Sequence, residues 1–327
     1  MDSLPLGSSG LRCSALGLGC MGMSEFYGPS DDARSLATLE AAVEQGITLF
    51  DTADMYGAGH NETLLGGFLK GRRDKVVLAT KFAIVRPTAA YARTIDNSPA
   101  YVRSACEASL RRLGIDTIDL YYVHRRNPQT PLEDTLGALA ELKAEGKIRA
   151  VGLSEVSAQT LRAAHAILPI AAVQSEYSLW TRDAEAEVLA ACAELGITFV
   201  AYSPLGRAAL TGAITPTTLV EGDFRRAMPR FGAEAWAVNR PLVEALGDFA
   251  SARGATPAQV ALAWLLGRPQ PLVPIFGTRS PERLRENIGA AALRLSADDR
   301  AILDALFPPG IAQGMRYTEE GMKNLDV

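Results

Sequence analysis

The stretch Thr48-Leu49-Phe50-Asp51-Thr52-Ala53-Asp54-Met55-Tyr56-Gly57 is an apolar run that stops at a carboxylate and reaches a tyrosine five residues later. This order is typical of a buried strand whose end carries an acid and a phenol into a pocket. The same residues also allow a purely structural interpretation, because Asp and Thr often cap a helix and Tyr is often a half-buried packing residue. The rest of the chain has to decide between the two.

Short apolar runs of the same kind recur along the chain and alternate with segments rich in Ala, Leu and Glu. Buried parallel strands read as continuous apolar runs, and several of the intervening segments end at a glycine, as helices do. Strand and helix units that repeat eight times without a linker predict an α/β fold, a (β/α)8 TIM barrel formed as a single domain over residues 1–327. A doubly wound sheet is the alternative, but no GxGxxG follows the first strand. The predicted barrel strands are residues 16–19, 47–50, 76–79, 120–123, 150–153, 171–173, 198–201 and 272–276.

The segments outside these strands are also predictable. Residues 4–7 and 11–13, separated by Ser8-Ser9-Gly10, predict an N-terminal β-hairpin. Residues 206–238 form a connection too long to be passive, and we expect long loops of this kind at the C-terminal face of the barrel, where they could fold over a ligand. Helices are predicted at residues 31–44, 62–69, 99–113, 132–145, 158–166 and 184–194, with a further set after Asn239.

Composition narrows the classes of function. The net charge of −4 with 21% charged residues gives no basic face for nucleic acid or an anionic membrane. No apolar run approaches the roughly 18 residues that a membrane span needs, and the N-terminus lacks a signal-peptide pattern. The four cysteines lack CxxC spacing, which favours reduced thiols in the cytoplasm. The three histidines lack metal-ligand spacing, so we expect no metal site.

Polar residues lie where consecutive predicted strands end. In a (β/α)8 barrel the carboxyl ends of the strands meet at one face, where active sites are assembled. One such residue could be accidental, but six consecutive strands ending this way favour a site. The residues are Asp51, Lys81, His124, Ser154 with Glu155, Gln174, and Tyr202 with Ser203.

Four of these side chains suit the protonation of an oxygen while a hydride reaches carbon. An unperturbed tyrosine titrates near pH ~10, so Tyr56 needs a neighbour that favours the phenolate. An ammonium at Lys81 about 4 Å away would lower the pKa of the phenol by about three units before desolvation opposes it. Asp51 would hold Lys81 charged, and His124 could donate a hydrogen bond to a carbonyl oxygen.

Three motifs make the chain similar to the aldo-keto reductase superfamily, in the branch of bacterial and plant NADPH-dependent carbonyl reductases. Residues 50–57 (FDTADMYG) resemble the family's Asp-x4-Tyr signature, residues 79–82 (ATKF) its lysine strand, and residues 119–125 (DLYYVHR) its histidine strand. The resemblance runs from the hairpin to the last helix. It implies that Asp51, Tyr56, Lys81 and His124 form a catalytic tetrad with Tyr56 as general acid.

The second half of the chain resembles the family's NADPH site. Ser154 and Gln174 correspond to residues that bind the nicotinamide amide, although Glu155 stands where Asn is common, and Tyr202 corresponds to the aromatic side chain that stacks on the nicotinamide. A glycine-led loop before a helix can bind phosphate through backbone N–H groups and an adjacent arginine, so Arg279 would favour NADPH over NADH. The further cofactor residues that the resemblance implies are Ser203, Pro204, Leu205, Gly206, Gly277, Thr278, Arg283, Glu286 and Asn287.

Substrate contacts are expected from loops at the same face. Met23, Tyr27, Phe82 and Trp180 could line the pocket, although aromatic residues in loops often cover core edges instead. Arg125 and Arg126 place two positive charges beside His124, and each either contacts substrate or pairs with a carboxylate.

The sequence therefore predicts a reductase of small-molecule aldehydes or ketones that uses NADPH/NADP+. The alternative is a nucleotide-binding, redox-sensing regulatory subunit of the same fold with slow turnover, since a fold does not fix a function. The physiological substrate, the preferred direction of reaction and the oligomeric state stay open.

Overall fold

The chain begins with a hairpin that covers one end of a barrel. In the computed structural model, which describes residues 1–86 and 93–326, strands β1 (Ser3–Pro5) and β2 (Arg12–Ser14) pair antiparallel. The turn docks on the beginning of a barrel strand, where Gly7 N donates a hydrogen bond to Thr198 Oγ1 at 2.9 Å. A side chain at Gly7 would collide with the Ala171 carbonyl, because a Cβ there would lie 2.5 Å from that oxygen. The predicted hairpin is confirmed.

Eight parallel strands close into a barrel behind the hairpin, so the predicted (β/α)8 fold is confirmed. Each strand pairs with the next in chain order, and the last pairs with the first. A second short hairpin, β6 (Ile84–Val85) with β7 (Thr94–Ile95), leaves the barrel after its third strand. The barrel strands are β3 (Gly17–Gly19), β4 (Leu49–Asp51), β5 (Val77–Phe82), β8 (Ile118–Val123), β9 (Ile148–Ser154), β10 (Ile170–Glu176), β11 (Thr198–Tyr202) and β12 (Leu272–Gly277).

The core has two layers, because alternate strand residues point inward and outward. Leu120 and Tyr122 of β8 pack inside the barrel, whereas Tyr121 and Val123 pack between the strands and the helices. Every residue of β8 is buried, as expected for a parallel strand covered on both faces.

Helices surround the barrel and begin at the capping residues that the sequence offers. Helix α3, for example, begins at Pro99 after Ser98, whose side chain accepts a hydrogen bond from Tyr101 N, and it ends at Gly114 in a left-handed conformation. The helices are α1 (Asp32–Glu44), α2 (His60–Leu69), α3 (Pro99–Leu113), α4 (Leu132–Ala144), α5 (Ala158–Ile167), α6 (Val188–Leu195), α7 (Ala233–Ser251), α8 (Pro257–Leu266), α9 (Pro281–Ile288), α10 (Ala297–Leu306) and α11 (Glu319–Met322).

Several predicted boundaries are wrong by a few residues. Helix α6 begins later than predicted because a separate 3-10 turn, Asp183–Glu185, precedes it. Strand β5 continues through Lys81, which pairs with Tyr122 of the neighbouring strand. Apolar runs stop at the first polar residue, but backbone pairing can continue beyond it. Lys81 and Gln174 therefore lie within β5 and β10, whereas His124 follows β8 as predicted.

The loops at the C-terminal face carry short structure of their own. Residues 206–232 contain four 3-10 turns, Ala209–Thr211, Pro216–Thr218, Phe224–Ala227 and Pro229–Phe231, and lead into α7. In the described part of the chain, no helix combines the length and apolar character needed to cross a bilayer.

Candidate active site

A buried ion pair forms the centre of the site. The Lys81 ammonium contacts the Asp51 carboxylate directly, and Nζ also donates a hydrogen bond to the Thr52 carbonyl at 2.8 Å. Its third neighbour is the Tyr56 hydroxyl, 3.5 Å away. Strand β4 supplies Asp51, β5 supplies Lys81, and Tyr56 begins the turn that follows β4.

Gln174 reaches Asp51 from the opposite side of the barrel. Its Nε2 donates a hydrogen bond to Asp51 Oδ2 at 2.8 Å. Both carboxylate oxygens are therefore engaged, one by Lys81 and one by Gln174. The sequence predicted Gln174 only as a nicotinamide contact and missed this role, because no local pattern links residues 123 positions apart.

The lowering of the phenol pKa expected from Lys81 does not prevail in this arrangement. Burial raises the pKa of Tyr56 well above its ordinary value, and the negative charge of Asp51 raises it further. Burial also lowers the pKa of Lys81, although Asp51 opposes that shift. The ammonium is paired with a carboxylate, so it offers Tyr56 less net positive field than an isolated cation would. Tyr56 therefore keeps its proton at neutral pH.

His124 completes the predicted tetrad. It follows β8 directly, and its ring lies edge-on to Tyr56 with 5.9 Å between ring centroids. Burial, followed by the charges of Arg125, Lys81 and Arg93, holds the pKa of His124 well below its ordinary value. The imidazole is therefore neutral at pH 7 and carries one N–H that can donate a hydrogen bond.

Arg125 and Ser154 are linked beside this histidine. Arg125 Nη1 donates hydrogen bonds to the His124 carbonyl at 2.6 Å and to Ser154 Oγ at 3.1 Å. Ser154 is the last residue of β9, so the guanidinium bridges the ends of two neighbouring strands.

Glu155 is a structural ion-pair partner in this structure. It adopts a left-handed backbone with φ of +51° directly after β9, which is unusual for a residue with a Cβ. Its carboxylate accepts hydrogen bonds from Glu176 N at 2.9 Å and from both terminal nitrogens of Arg316 at 3.0–3.3 Å. Burial opposes ionisation, but Arg316 and Arg125 outweigh it and hold the pKa of Glu155 below its ordinary value.

The segment after α10 covers the end of β11, which the sequence did not indicate. The Tyr202 and Tyr317 hydroxyls lie 2.9 Å apart. The Arg207 guanidinium lies 4.4 Å from the centroid of the Tyr317 ring, and it pairs with Glu176 at 2.9 Å. Tyr202, predicted to stack on nicotinamide, is thus contacted by Tyr317 of the segment that follows α10. The adjoining predicted cofactor residues Ser203, Pro204, Leu205 and Gly206 continue from it, and Gly206 lies against the Trp180 ring.

The predicted phosphate loop joins β12 to α9. Arg279 bonds the backbone carbonyls of residues 27–29, including Tyr27 O at 3.0 Å, and burial together with the charges of Arg225 and Arg34 lowers its pKa. The other predicted contacts lie in the same segment: Gly277 ends β12, Thr278 lies in the loop, and Arg283, Glu286 and Asn287 lie in α9. Asn287 is buried, whereas Arg283 is exposed.

The predicted substrate residues divide into two groups. Met23 and Phe82 are 1% and 0% exposed and lie in the outer core, so neither presents surface at the barrel mouth. Lys81 points into the barrel, and strand alternation therefore turns Phe82 outward against Tyr121. Tyr27 contacts Arg225 beside the predicted cofactor loops. Trp180 lies against Gly206 there, but it is only 3% exposed and belongs to the same outer core. Arg126 pairs with Asp326 at 3.8 Å.

Comparisons with known proteins show which family the chain resembles. A family model described as the aldo/keto reductase family matches residues 15–307. The chain is 46% identical over 320 residues to a Glycine max protein named probable aldo-keto reductase 1, which covers 97% of this chain and 92% of that protein. The solved glycerol dehydrogenase from Gluconobacter oxydans aligns with a TM-score of 0.85 at 27% identity, over 94% of this chain and 97% of that one. The holo form of an aldo-keto reductase from Bacillus halodurans aligns with a TM-score of 0.80 at 28% identity, over 98% and 99%.

Proposed function

The chain belongs to the aldo/keto reductase family, and from that premise we propose that it is an NADPH-dependent enzyme that reduces an aldehyde or a ketone to the alcohol. Membership makes it an oxidoreductase that acts on small-molecule carbonyls. The observation that carries the finer proposal is the arrangement of Tyr56, with Lys81 Nζ 3.5 Å from its hydroxyl and the His124 ring edge-on beside it.

Each side chain has a definite task in this proposal. Bound NADPH would supply the hydride to the carbonyl carbon. Tyr56, protonated at neutral pH, donates its proton to the carbonyl oxygen as that oxygen becomes strongly basic. Lys81 stabilises the charge left on the phenol, and Asp51 with Gln174 fixes the position of Lys81. Neutral His124 orients the carbonyl by a hydrogen bond.

The phosphate loop supports NADPH as the cofactor. Arg279 lies at the N-terminus of α9 near Arg225, Arg34 and Arg283, whose like charges oppose it, and Asp223, which pairs with Arg225, offsets only part of that repulsion. A 2′-phosphate would relieve that repulsion and accept hydrogen bonds from Arg279 and the helix N-terminus. The proposed cofactor contacts are Ser154, Gln174, Tyr202–Gly206 and the predicted residues of the loop and α9.

The proposal also places the protein in the cytoplasm. Cys13, Cys20, Cys106 and Cys192 are all buried free thiols, which suits the reducing cytoplasm.

The test is turnover by the purified protein. We expect NADPH oxidation that depends on added aldehyde or ketone, followed across a panel of both classes, and slower oxidation of NADH. Tight NADPH binding without turnover on any member of the panel would contradict the enzyme and favour the regulatory subunit.

A further inference from the structure

Arg125 is a buried cation at the barrel mouth without a carboxylate partner among residues 1–86 and 93–326. The residue is 9% exposed. Its hydrogen bonds to the described residues use only Nη1, which donates to the His124 carbonyl and to Ser154 Oγ, both neutral acceptors. Its Nε and Nη2 groups donate no hydrogen bond to the described residues, so one edge of the planar guanidinium has donors without a protein acceptor there.

Other buried or half-buried cations around the site are paired. Asp51 neutralises Lys81, which removes the most obvious competitor for an anion. A buried charge without a partner is costly, and native proteins usually pair it. Arg125 differs in this respect from its neighbours Arg86, Arg126, Arg207 and Arg316, which pair with Glu25, Asp326, Glu176 and Glu155.

The position of Arg125 places this charge close to the reacting carbonyl. It follows His124 in the chain and is tied to Ser154 at the end of the next strand. Its charge reaches both proposed proton-handling groups, since it acts to lower the pKa of His124 and that of Tyr56. Arg93 adds a second positive charge that His124 senses. Glu155 is a carboxylate that senses the Arg125 charge, but its ion pair is with Arg316, so no described carboxylate contacts Arg125 directly.

We propose that Arg125 binds a carboxylate carried by the substrate, so that the preferred substrates are oxo acids, meaning aldehydes or ketones that bear a carboxylate. This inference rests on the proposed carbonyl reduction. The open edge of the guanidinium matches the two oxygens of a carboxylate, and a hydrogen-bonded pair of this kind is strong when water is excluded. The carboxylate would neutralise the buried charge, while the carbonyl group meets Tyr56 and His124.

The experiment compares each acid with its own methyl ester, because the two share the same reacting carbonyl. The pairs are 4-carboxybenzaldehyde with its methyl ester, and succinic semialdehyde with its methyl ester, each reduced with NADPH. For the wild-type enzyme we expect kcat/KM for the acid to exceed that for the ester by about tenfold or more.

The Arg125→Met variant should lose this preference. We expect the acid-to-ester ratio of kcat/KM to fall about tenfold to a hundredfold, mainly through a higher KM for the acid. Arg125→Lys should give an intermediate ratio, since lysine keeps the positive charge but lacks the planar guanidinium that can bind both carboxylate oxygens. The matched control is Arg126→Met, which removes the same charge one residue away and should keep the wild-type ratio, because Arg126 is paired with Asp326.

The two proposals fail in different ways. If Arg125 only supports Ser154 and the His124 carbonyl, or binds the nicotinamide amide, both members of a pair will slow together and the ratio will not change. That result overturns the carboxylate site and leaves carbonyl reduction standing, because the esters report it. Absence of turnover on all four compounds would overturn the carboxylate site, and absence of turnover across the wider panel of aldehydes and ketones would overturn carbonyl reduction as well.

Discussion

The side-chain amide of Gln174 hydrogen-bonds Asp51 at 2.8 Å across the full width of the barrel. The two residues lie on β10 and β4, which are four strand positions apart in the closed ring of eight. Because a carboxylate beside a lysine can rotate, a second bond on its other oxygen fixes its plane. The orientation of Lys81 toward Tyr56 therefore depends on a residue from the far wall.

Gln174→Leu tests this dependence. It removes a buried hydrogen bond to a charged oxygen, so the free energy of unfolding of the nucleotide-free protein should fall by about 1.5–3 kcal/mol. Urea unfolding measures the change. If Gln174 served only as a nicotinamide contact, the variant would bind NADPH more weakly while its unfolding in the absence of nucleotide stayed as in the wild type.

Tyr56→Phe should reduce kcat for carbonyl reduction by about 10²–10⁴-fold, because it removes the proton donor and little else. The affinity for NADPH, measured by fluorescence titration, should stay close to that of the wild type. Wild-type turnover in the variant would identify another donor.

The matched control for that variant is Tyr121→Phe. Tyr121 lies in the wall of the barrel, and its buried hydroxyl has no hydrogen-bond partner in the described residues. The same atom is removed at a position away from the proposed chemistry, so kcat should change little. A comparable loss at both positions would point to a general effect of losing a buried hydroxyl.

Lys81→Met should destabilise the fold strongly. The Lys81 side chain is 0% exposed and the Asp51 side chain 5%. The variant therefore leaves a buried carboxylate without a counter-charge, which should lower the free energy of unfolding by about 3–5 kcal/mol. The double variant Asp51→Asn/Lys81→Met should recover part of this loss, because no unpaired charge remains. Strictly additive effects in the cycle would contradict the ion pair.

His124 should make stability depend on pH in the mildly acidic range. Burial and neighbouring cations lower its pKa in the folded state, whereas the unfolded chain titrates near pH ~6.5. The unfolded state therefore binds more protons between those two pKa values. The contribution is fully present above about pH 6.5 and is lost as pH falls toward the lowered value.

Urea midpoints measured at several values between about pH 5 and pH 7 check this sign. In His124→Asn the decline with falling pH should be shallower, and the other titrating groups, including Glu155, remain in both proteins and largely cancel in the comparison. Parallel curves for the two proteins would show that His124 is not buried in a neutral state.

Local pattern was sufficient for the barrel and for the placing of Asp51, Lys81 and His124. A strand end is a local feature, and eight such ends converge once the ring closes. Contacts between distant segments could not be predicted from local pattern. Arg316, for example, pairs with Glu155, and the two residues are 161 positions apart in the chain. The prediction of Phe82 as a substrate contact failed for a different reason. Side chains alternate along β5, and because Lys81 points into the barrel, the Phe82 ring points away from the mouth.

Arg279→Met should separate the two nicotinamide cofactors. The guanidinium sits at the N-terminus of α9, and its removal should raise the dissociation constant of NADPH about tenfold to a hundredfold through the loss of charge-assisted bonds to the 2′-phosphate. NADH lacks that phosphate, so its affinity should change by a much smaller factor. Arg285→Met, an exposed arginine on the same helix, controls for the general field of α9. Equal weakening of NADPH and NADH in the Arg279 variant would mean that this arginine shapes the loop through its bonds to residues 27–29 and does not recognise the phosphate.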